Sequence, residues 1–308
     1  MTSLAAVVMA HRDAPQVRRL IGALEDVPVV VHCDSKTADD VAGAMIAGWD
    51  GRVRAVPRTS ATLGSWSLVR VEIDLLRAAL QHSSADHIAV LSGSDYPLLS
   101  TDGLIQALKP WAGRSYLMNA PIPFEPWSVP RHPDGGRWRT AHRFLHRGDD
   151  LVTVRGVPVR TTWQRPLPAG QELRATSQWK ILSRHDAELV VRVVDSRPDL
   201  VRFWRSTLVP EESVVASVLS SPMLTGEPAV PVSHRHPWFI KWPARGSHHP
   251  AWLTEGDFDR VADAARAPGG TPDDEDRTDV PLQKLFARKV STERSSVLLD
   301  RVDAELRR

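Results

Sequence analysis

Residues 88–100, Ile-Ala-Val-Leu-Ser-Gly-Ser-Asp-Tyr-Pro-Leu-Leu-Ser, constrain the fold more than any other stretch. Four apolar residues running into small ones read as a strand covered on both faces, since a half-exposed strand would alternate with polar residues. Such strands belong to parallel sheets. Ser92, Gly93 and Ser94 let a ligand approach the backbone, Asp95 offers an anionic acceptor, and Pro97 stops the strand. In open α/β sheets this carboxyl edge is where ligands bind. The same residues also suit a plain strand-to-loop turn with a capping Asp.

The flanking periodicity agrees. Leu4–Ala10 reads as a first strand, and Asp13 with Pro15 opens a helix carrying Val17, Leu20, Ile21 and Leu24. A strand over 27–31, a helix after Thr37, a strand over 52–56 and an amphipathic helix over 65–81 follow. Ser100 or Thr101 starts another helix, and 115–119 reads as a further strand. This alternation predicts a mostly parallel sheet flanked by helices. Residues 1–119 form the expected nucleotide-binding half and 120–308 the acceptor and catalytic half of one domain.

Over 120–175 the periodicity fades, and Arg131, His132, Arg137, Arg139, His142, Arg143, His146 and Arg147 gather among Trp127, Trp138 and Phe144. A solvated loop face is one reading of them. A binding loop with aromatic floors and cationic tips is the other. Residues 151–161, with Gly156 at the turn, suit a hairpin, and 175–182 a strand leading to a helix capped by Ser183. Helices are expected from Pro210 and from Thr254, a short strand over 238–242, a mobile loop over 267–279 and a closing helix through Val302.

Composition excludes several classes. A formal net charge of +2 argues against nucleic acid as the main partner, although the Arg/His-rich loop keeps a salt-sensitive nucleic-acid module in view. The single cysteine, Cys33, allows no internal disulfide and fits a reducing compartment. No apolar run approaches the roughly 18 residues of a membrane span, and Leu4–Ala10 lacks the basic flank of a secretory signal, so a cytoplasmic location is expected.

Glu211 and Glu212 begin a helical segment, where acidic residues serve the dipole and where a carboxylate could equally act as a general base. Arg288 and Lys289 follow an apolar Leu-Phe-Ala and could clamp a diphosphate or simply decorate the surface. No metal site is expected. His234, His236, His248 and His249 lack partners at ligand spacing. Asp257–Asp259 sits in a helix start and Asp274–Asp276 in a loop, not at a strand end. No Gly-rich phosphate loop follows the first strand.

In order along the chain stand His-Cys-Asp-Ser-Lys (32–36), Leu-Gly-Ser-Trp-Ser (63–67), Leu-Ser-Gly-Ser-Asp-Tyr-Pro-Leu (91–98), Ser-Gln-Trp (177–179), Pro-Glu-Glu (210–212) and Leu-Phe-Ala-Arg-Lys (285–289). This ordered set resembles the core-2/I-branching β-1,6-N-acetylglucosaminyltransferase family, which includes the peptide O-xylosyltransferases. The resemblance implies a GT-A-type fold and an inverting, metal-independent transfer from a UDP-sugar, most plausibly UDP-N-acetylglucosamine, to a hydroxyl of a saccharide or glycosylated small molecule. It implies no cofactor. Glu212 matches the family's base, yet Glu211 stands where the family has Asp, so both carboxylates stay open for that role. Arg288 and Lys289 match the pair that neutralises the leaving diphosphate. His11, His32, Asp34, Arg58, Gly64, Ser65 and Asp95 fall on the donor side, with Ser177, Gln178 and Trp179 beside the transferred sugar. A non-catalytic sugar- or nucleotide-binding protein of the same fold is the alternative.

Overall fold

The computed structural model describes residues 2–244, 247, 249–272 and 282–308. Its centre is a five-stranded sheet. Strand β1 (Leu4–Ala10) is buried along its whole length and lies between β2 (Val29–Cys33) and β4 (His87–Ser92), parallel to both. Val7 pairs with Val30 on one side and Val90 on the other. All three side chains are essentially inaccessible, each contributing about 1.5–3 kcal/mol by burial. β3 (Val53–Ala55) extends the sheet parallel to β2. The far edge, β6 (Lys180–Ser183), runs antiparallel to β4 and comes from the second half of the chain.

Helices cover the faces as the apolar stripes require. Asp13 caps α1 (Ala14–Ala23) by accepting from the Gln16 amide, and Ser65 caps α3 (Trp66–His82) through the Ser67 amide. α3 buries Val69, Ile73 and Leu76. It also buries Glu72, which meets Lys180 Nζ of β6 at 2.7 Å in an ion pair closed to solvent. α2 (Asp39–Ile46) starts two residues after Thr37, whose hydroxyl instead donates to the His11 carbonyl. Further helices against the core include α4 (Thr101–Leu108) and α5 (Arg184–Ser196), the latter capped by Ser183.

A second, three-stranded sheet controls the site. β7 (Trp238–Ile240) runs parallel to β8 (Phe286–Arg288), which is antiparallel to β5 (Asp95–Pro97). This register sets Arg288 opposite Asp95. The helix α6 (Phe258–Arg266) and the closing helix α7 (Thr292–Glu305) pack against this sheet.

Four expected elements differ. Residues 115–119 form no strand; Tyr116 and Asn119 make single bridges to Ile181 and Ser233, while Ser115 Oγ is committed to Asp186 and the Ser183 amide. The strand expected over 175–182 divides into 174–175 and 180–183, because the Thr176 amide donates to the Glu212 carbonyl rather than to a ladder. The helix expected from Pro210 is a 3₁₀ turn, Pro210–Glu212, followed after Ser213 by a separate helix, Val214–Leu219. The strand over 238–242 ends at Ile240. Of the loop expected over 267–279, residues 273–279 lie outside the described residues.

Candidate active site

The parallel strands β1, β2 and β4 end together, and their carboxyl edge carries most of the predicted site residues. At the end of β2, the Asp34 carboxylate accepts from the amides of Lys36 (2.8 Å) and Ala61 (3.1 Å) and meets Lys36 Nζ at 3.2 Å. Burial pushes its carboxyl up, but these donors outweigh burial and hold it below the ordinary carboxylate range. His32 Nε2 accepts from the Thr59 amide at 3.1 Å, which leaves the ring proton on Nδ1. Burial lowers its pKa and keeps the ring neutral. Arg58 reaches the same loop but is spent there. It donates to Asp39 at 2.6 Å and to the carbonyls of Thr37 and Asp34, so it braces the pocket wall instead of presenting a free charge.

At the end of β4, Asp95 is fully buried and accepts from the Ser92 amide at 2.7 Å. Burial pushes its carboxyl up, opposed by the Arg288 guanidinium 2.8 Å away. Arg288 also donates to Ser92 Oγ and lies over the Trp179 ring, 4.0 Å from its centroid. Lys289, next in the chain, turns elsewhere, its ammonium 4.3 Å from the centre of the Trp252 ring. Burial and then the neighbouring Arg288 and Arg12 lower its pKa. His11 is open to solvent on one side. Lost hydration on its other side, then Arg12, holds its imidazole below the ordinary value.

The two glutamates divide sharply. In a 3₁₀ turn consecutive side chains point about 120° apart, so neighbours cannot share an environment. Glu211 is buried, and its Oε1 accepts from the Gly64 amide at 2.7 Å while Oε2 has no hydrogen-bond partner among the described residues. Burial pushes its carboxyl up to about 8. Glu212 has a side chain 38% exposed and meets Arg139 Nη1 at 2.7 Å. The turn is held by Gly64, at φ +80°, whose carbonyl accepts from the Val209 amide at 3.1 Å. Val209 is left-handed at φ +52°, a conformation a β-branched residue seldom adopts. Ser65 belongs to the same corner as the cap of α3.

One short stretch joins both ends of the site. The Thr176 amide holds the Glu212 carbonyl at 2.9 Å, and Trp179, three residues on, lies under Arg288. Three residues span at most about 10 Å. Between them Ser177 Oγ accepts from the Trp179 amide, and Gln178 Nε2 lies 3.8 Å from Met9 Sδ near the end of β1.

Arg139 was legible only as one of many cations. Its guanidinium lies 3.9 Å from the Trp127 ring centre, and Trp127 in turn presses on Gly136, where a Cβ would meet the indole at 2.5 Å. His132 stacks on Trp138 at 4.2 Å. Arg139 is thus packed between the Trp127 ring and the Glu212 carboxylate. Trp252 and Arg12 carried no signal in the sequence beyond their residue types.

Among the described residues no group of three or more His, Cys, Asp and Glu side chains is arranged to hold a metal. Asp257 is taken by Lys241 at 2.6 Å and by the Thr254 amide. His234 stacks near Phe124, and burial drives His236 down to about 3. Residues 274–276 and His248 lie outside the described residues. Cys33 is buried and unpaired, and among the described residues no helix is long and apolar enough to cross a membrane.

Compared with known proteins, residues 5–262 match the model of the Core-2/I-Branching enzyme family. A search of curated proteins returned no match. Among solved structures, mouse xyloside xylosyltransferase 1 in its apo form is similar at TM-score 0.37 and 12% identity, covering 78% of this chain and 89% of that one. HddC from Yersinia pseudotuberculosis is similar at TM-score 0.28 and 17% identity, covering 60% and 79%.

Proposed function

The chain belongs to the core-2/I-branching family of glycosyltransferases, and from that premise we propose an inverting, metal-independent transfer of N-acetylglucosamine from a UDP-sugar to a hydroxyl of a saccharide or glycosylated small molecule. The observation that carries this reading is the stretch from Thr176 to Trp179, which is bonded at one end to the Glu212 carbonyl and lies at the other under the Arg288 guanidinium, so that one segment ties the carboxylate turn to the cationic strand end.

Glu212, not Glu211, is the base in this reading. A carboxyl raised to about 8 is protonated at neutral pH and has no capacity to take a proton, whereas Glu212 is partly exposed. Glu212 takes the proton of the acceptor hydroxyl as its oxygen bonds to the anomeric carbon. The bond from that carbon to the β-phosphate oxygen breaks on the opposite face, and UDP departs carrying the electron pair. Lys289 meets the charge that develops on the diphosphate, a stabilisation that fixed cations supply without reorganisation. Asp34 and His32 line the uridine side, and Gln178 and Trp179 the sugar.

Thermal-shift measurements with UDP-, GDP- and dTDP-sugars, each with a divalent cation or EDTA, test the donor and the metal independence. Stabilisation by UDP-sugars in EDTA supports the reading; strict metal dependence, or a response to GDP or dTDP alone, overturns it. Release of UDP from the donor that disappears in Lys289→Ala separates an enzyme from a binding protein of the same fold.

A further inference from the structure

Of the adjacent Arg288 and Lys289, one has its charge already committed. Arg288 meets Asp95 at 2.8 Å, donates to Ser92 Oγ and stacks on Trp179, leaving its side chain only 14% exposed. Both bonds come from Nη1, so Asp95 and Ser92 anchor the guanidinium in place. Lys289 has no carboxylate partner among the described residues. The Leu253 amide donates to the Lys289 carbonyl at 2.8 Å, which fixes the neighbouring Trp252 beside it.

The same indole serves a second cation. The Arg12 guanidinium lies 5.6 Å from the Trp252 ring centre, is exposed, and also has no carboxylate partner among the described residues. Its loop is anchored next door, where Asp13 accepts from the Thr292 amide (2.9 Å) and hydroxyl (2.6 Å) at the start of α7. The two cations thus stand on separately fixed backbone at the carboxyl edge of β1 and the end of β8. Their charges are felt: Arg12 lowers the pKa of both Lys289 and His11, and only Asp34 opposes this at His11. Positive charge left unbalanced at the mouth of a sheet is relieved by an anion.

We infer that Arg12 and Lys289, set over Trp252, form a two-cation site that receives the donor diphosphate, with the exposed Arg12 guanidinium offering a planar two-point contact and Lys289 a point charge. Identifying the anion as a diphosphate rests on the nucleotide-sugar reading above. That an anion binds here does not.

Isothermal titration with inorganic pyrophosphate, UDP and uridine separates the two. The parent protein is expected to bind pyrophosphate, and to bind UDP more tightly than uridine. Arg12→Ala should weaken pyrophosphate and UDP by about ten- to hundredfold, the range for one charge-assisted hydrogen bond, while leaving uridine unchanged. Arg12→Lys should recover part of the loss. Arg197→Ala, which removes an equal charge from a surface pair with Asp199, should change nothing. Unchanged pyrophosphate and UDP affinities in Arg12→Ala overturn the inference, as does a parent protein that binds neither. Pyrophosphate binding that depends on Arg12 without any UDP binding upholds the site and overturns the nucleotide-sugar reading instead.

Discussion

The 210–212 turn and the 288–289 strand end each carry two like charges in succession, and each is divided in the same way. In the turn Glu211 is sealed against the Gly64 amide while Glu212 faces Arg139 at the surface. At the strand end Arg288 is locked to Asp95 while Lys289 lies over Trp252. One member of each pair is held within the fold, and the other, nearer the surface, is the one to which the proposed mechanism gives the chemistry. The means differ, however. The turn separates its carboxylates by 3₁₀ rotation and leaves Glu211 uncharged, whereas at the strand end Arg288 is the last residue of β8, paired with Asp95, and Lys289 already lies in the bend beyond it.

Glu212→Gln against Glu211→Gln puts the greatest strain on this comparison. The first should lower transfer by about two to four orders of magnitude, as expected for loss of a general base, with UDP affinity retained. The second should stay within about tenfold of the parent, and equal losses in steady-state rates would erase the distinction. Next in size is the strand end. Asp95→Asn leaves Arg288 without its counter-charge and should cost about 3–5 kcal/mol in urea unfolding, as for other broken buried pairs. Lys289→Ala should remain within about 0.5 kcal/mol in the same assay, because its partner is an aromatic surface rather than a buried charge.

A smaller effect sharpens the claim that Glu211 is uncharged. Its folded pKa of about 8 lies above the ordinary 4.5, so the folded state holds the extra proton between those values. Its contribution to stability is full below about pH 4.5 and is lost as pH rises toward 8. The stability of Glu211→Gln relative to the parent should therefore climb across that window and level off above it. Taking the difference between the two proteins cancels His11, His32 and His236, whose lowered pKa values act in the opposite direction. A flat difference from pH 4.5 to 8 would show that Glu211 is ionised in the folded protein.

Much of the frame was readable from local pattern. Leu4–Ala10 and the strand before Ser92 are apolar without alternation, and a strand buried on both faces leaves no other solution. The caps expected at Asp13 and Ser183 form through those side chains, and of Ser100 and Thr101 it is Ser100 that caps α4. The pattern misled where a tertiary hydrogen bond replaced a local one. Thr176 leaves its expected strand to hold Glu212, and Ser115 leaves its own to serve α5. Arg139 lies 73 residues from its glutamate, and nothing in its surroundings separated it from the other arginines and histidines over 131–147.

The amino-acid order alone determined the α/β frame and the edge at which the strands end, because hydrophobic periodicity and caps act within a few residues. The folded molecule decided which of those residues are free. Burial of Glu211, the pairing of Asp95 with Arg288 and the meeting of Arg12 with Lys289 over Trp252 depend on segments far apart in the chain. The charge state and availability of a side chain follow from what packs around it, and that is set only when distant strands and loops close on the same edge.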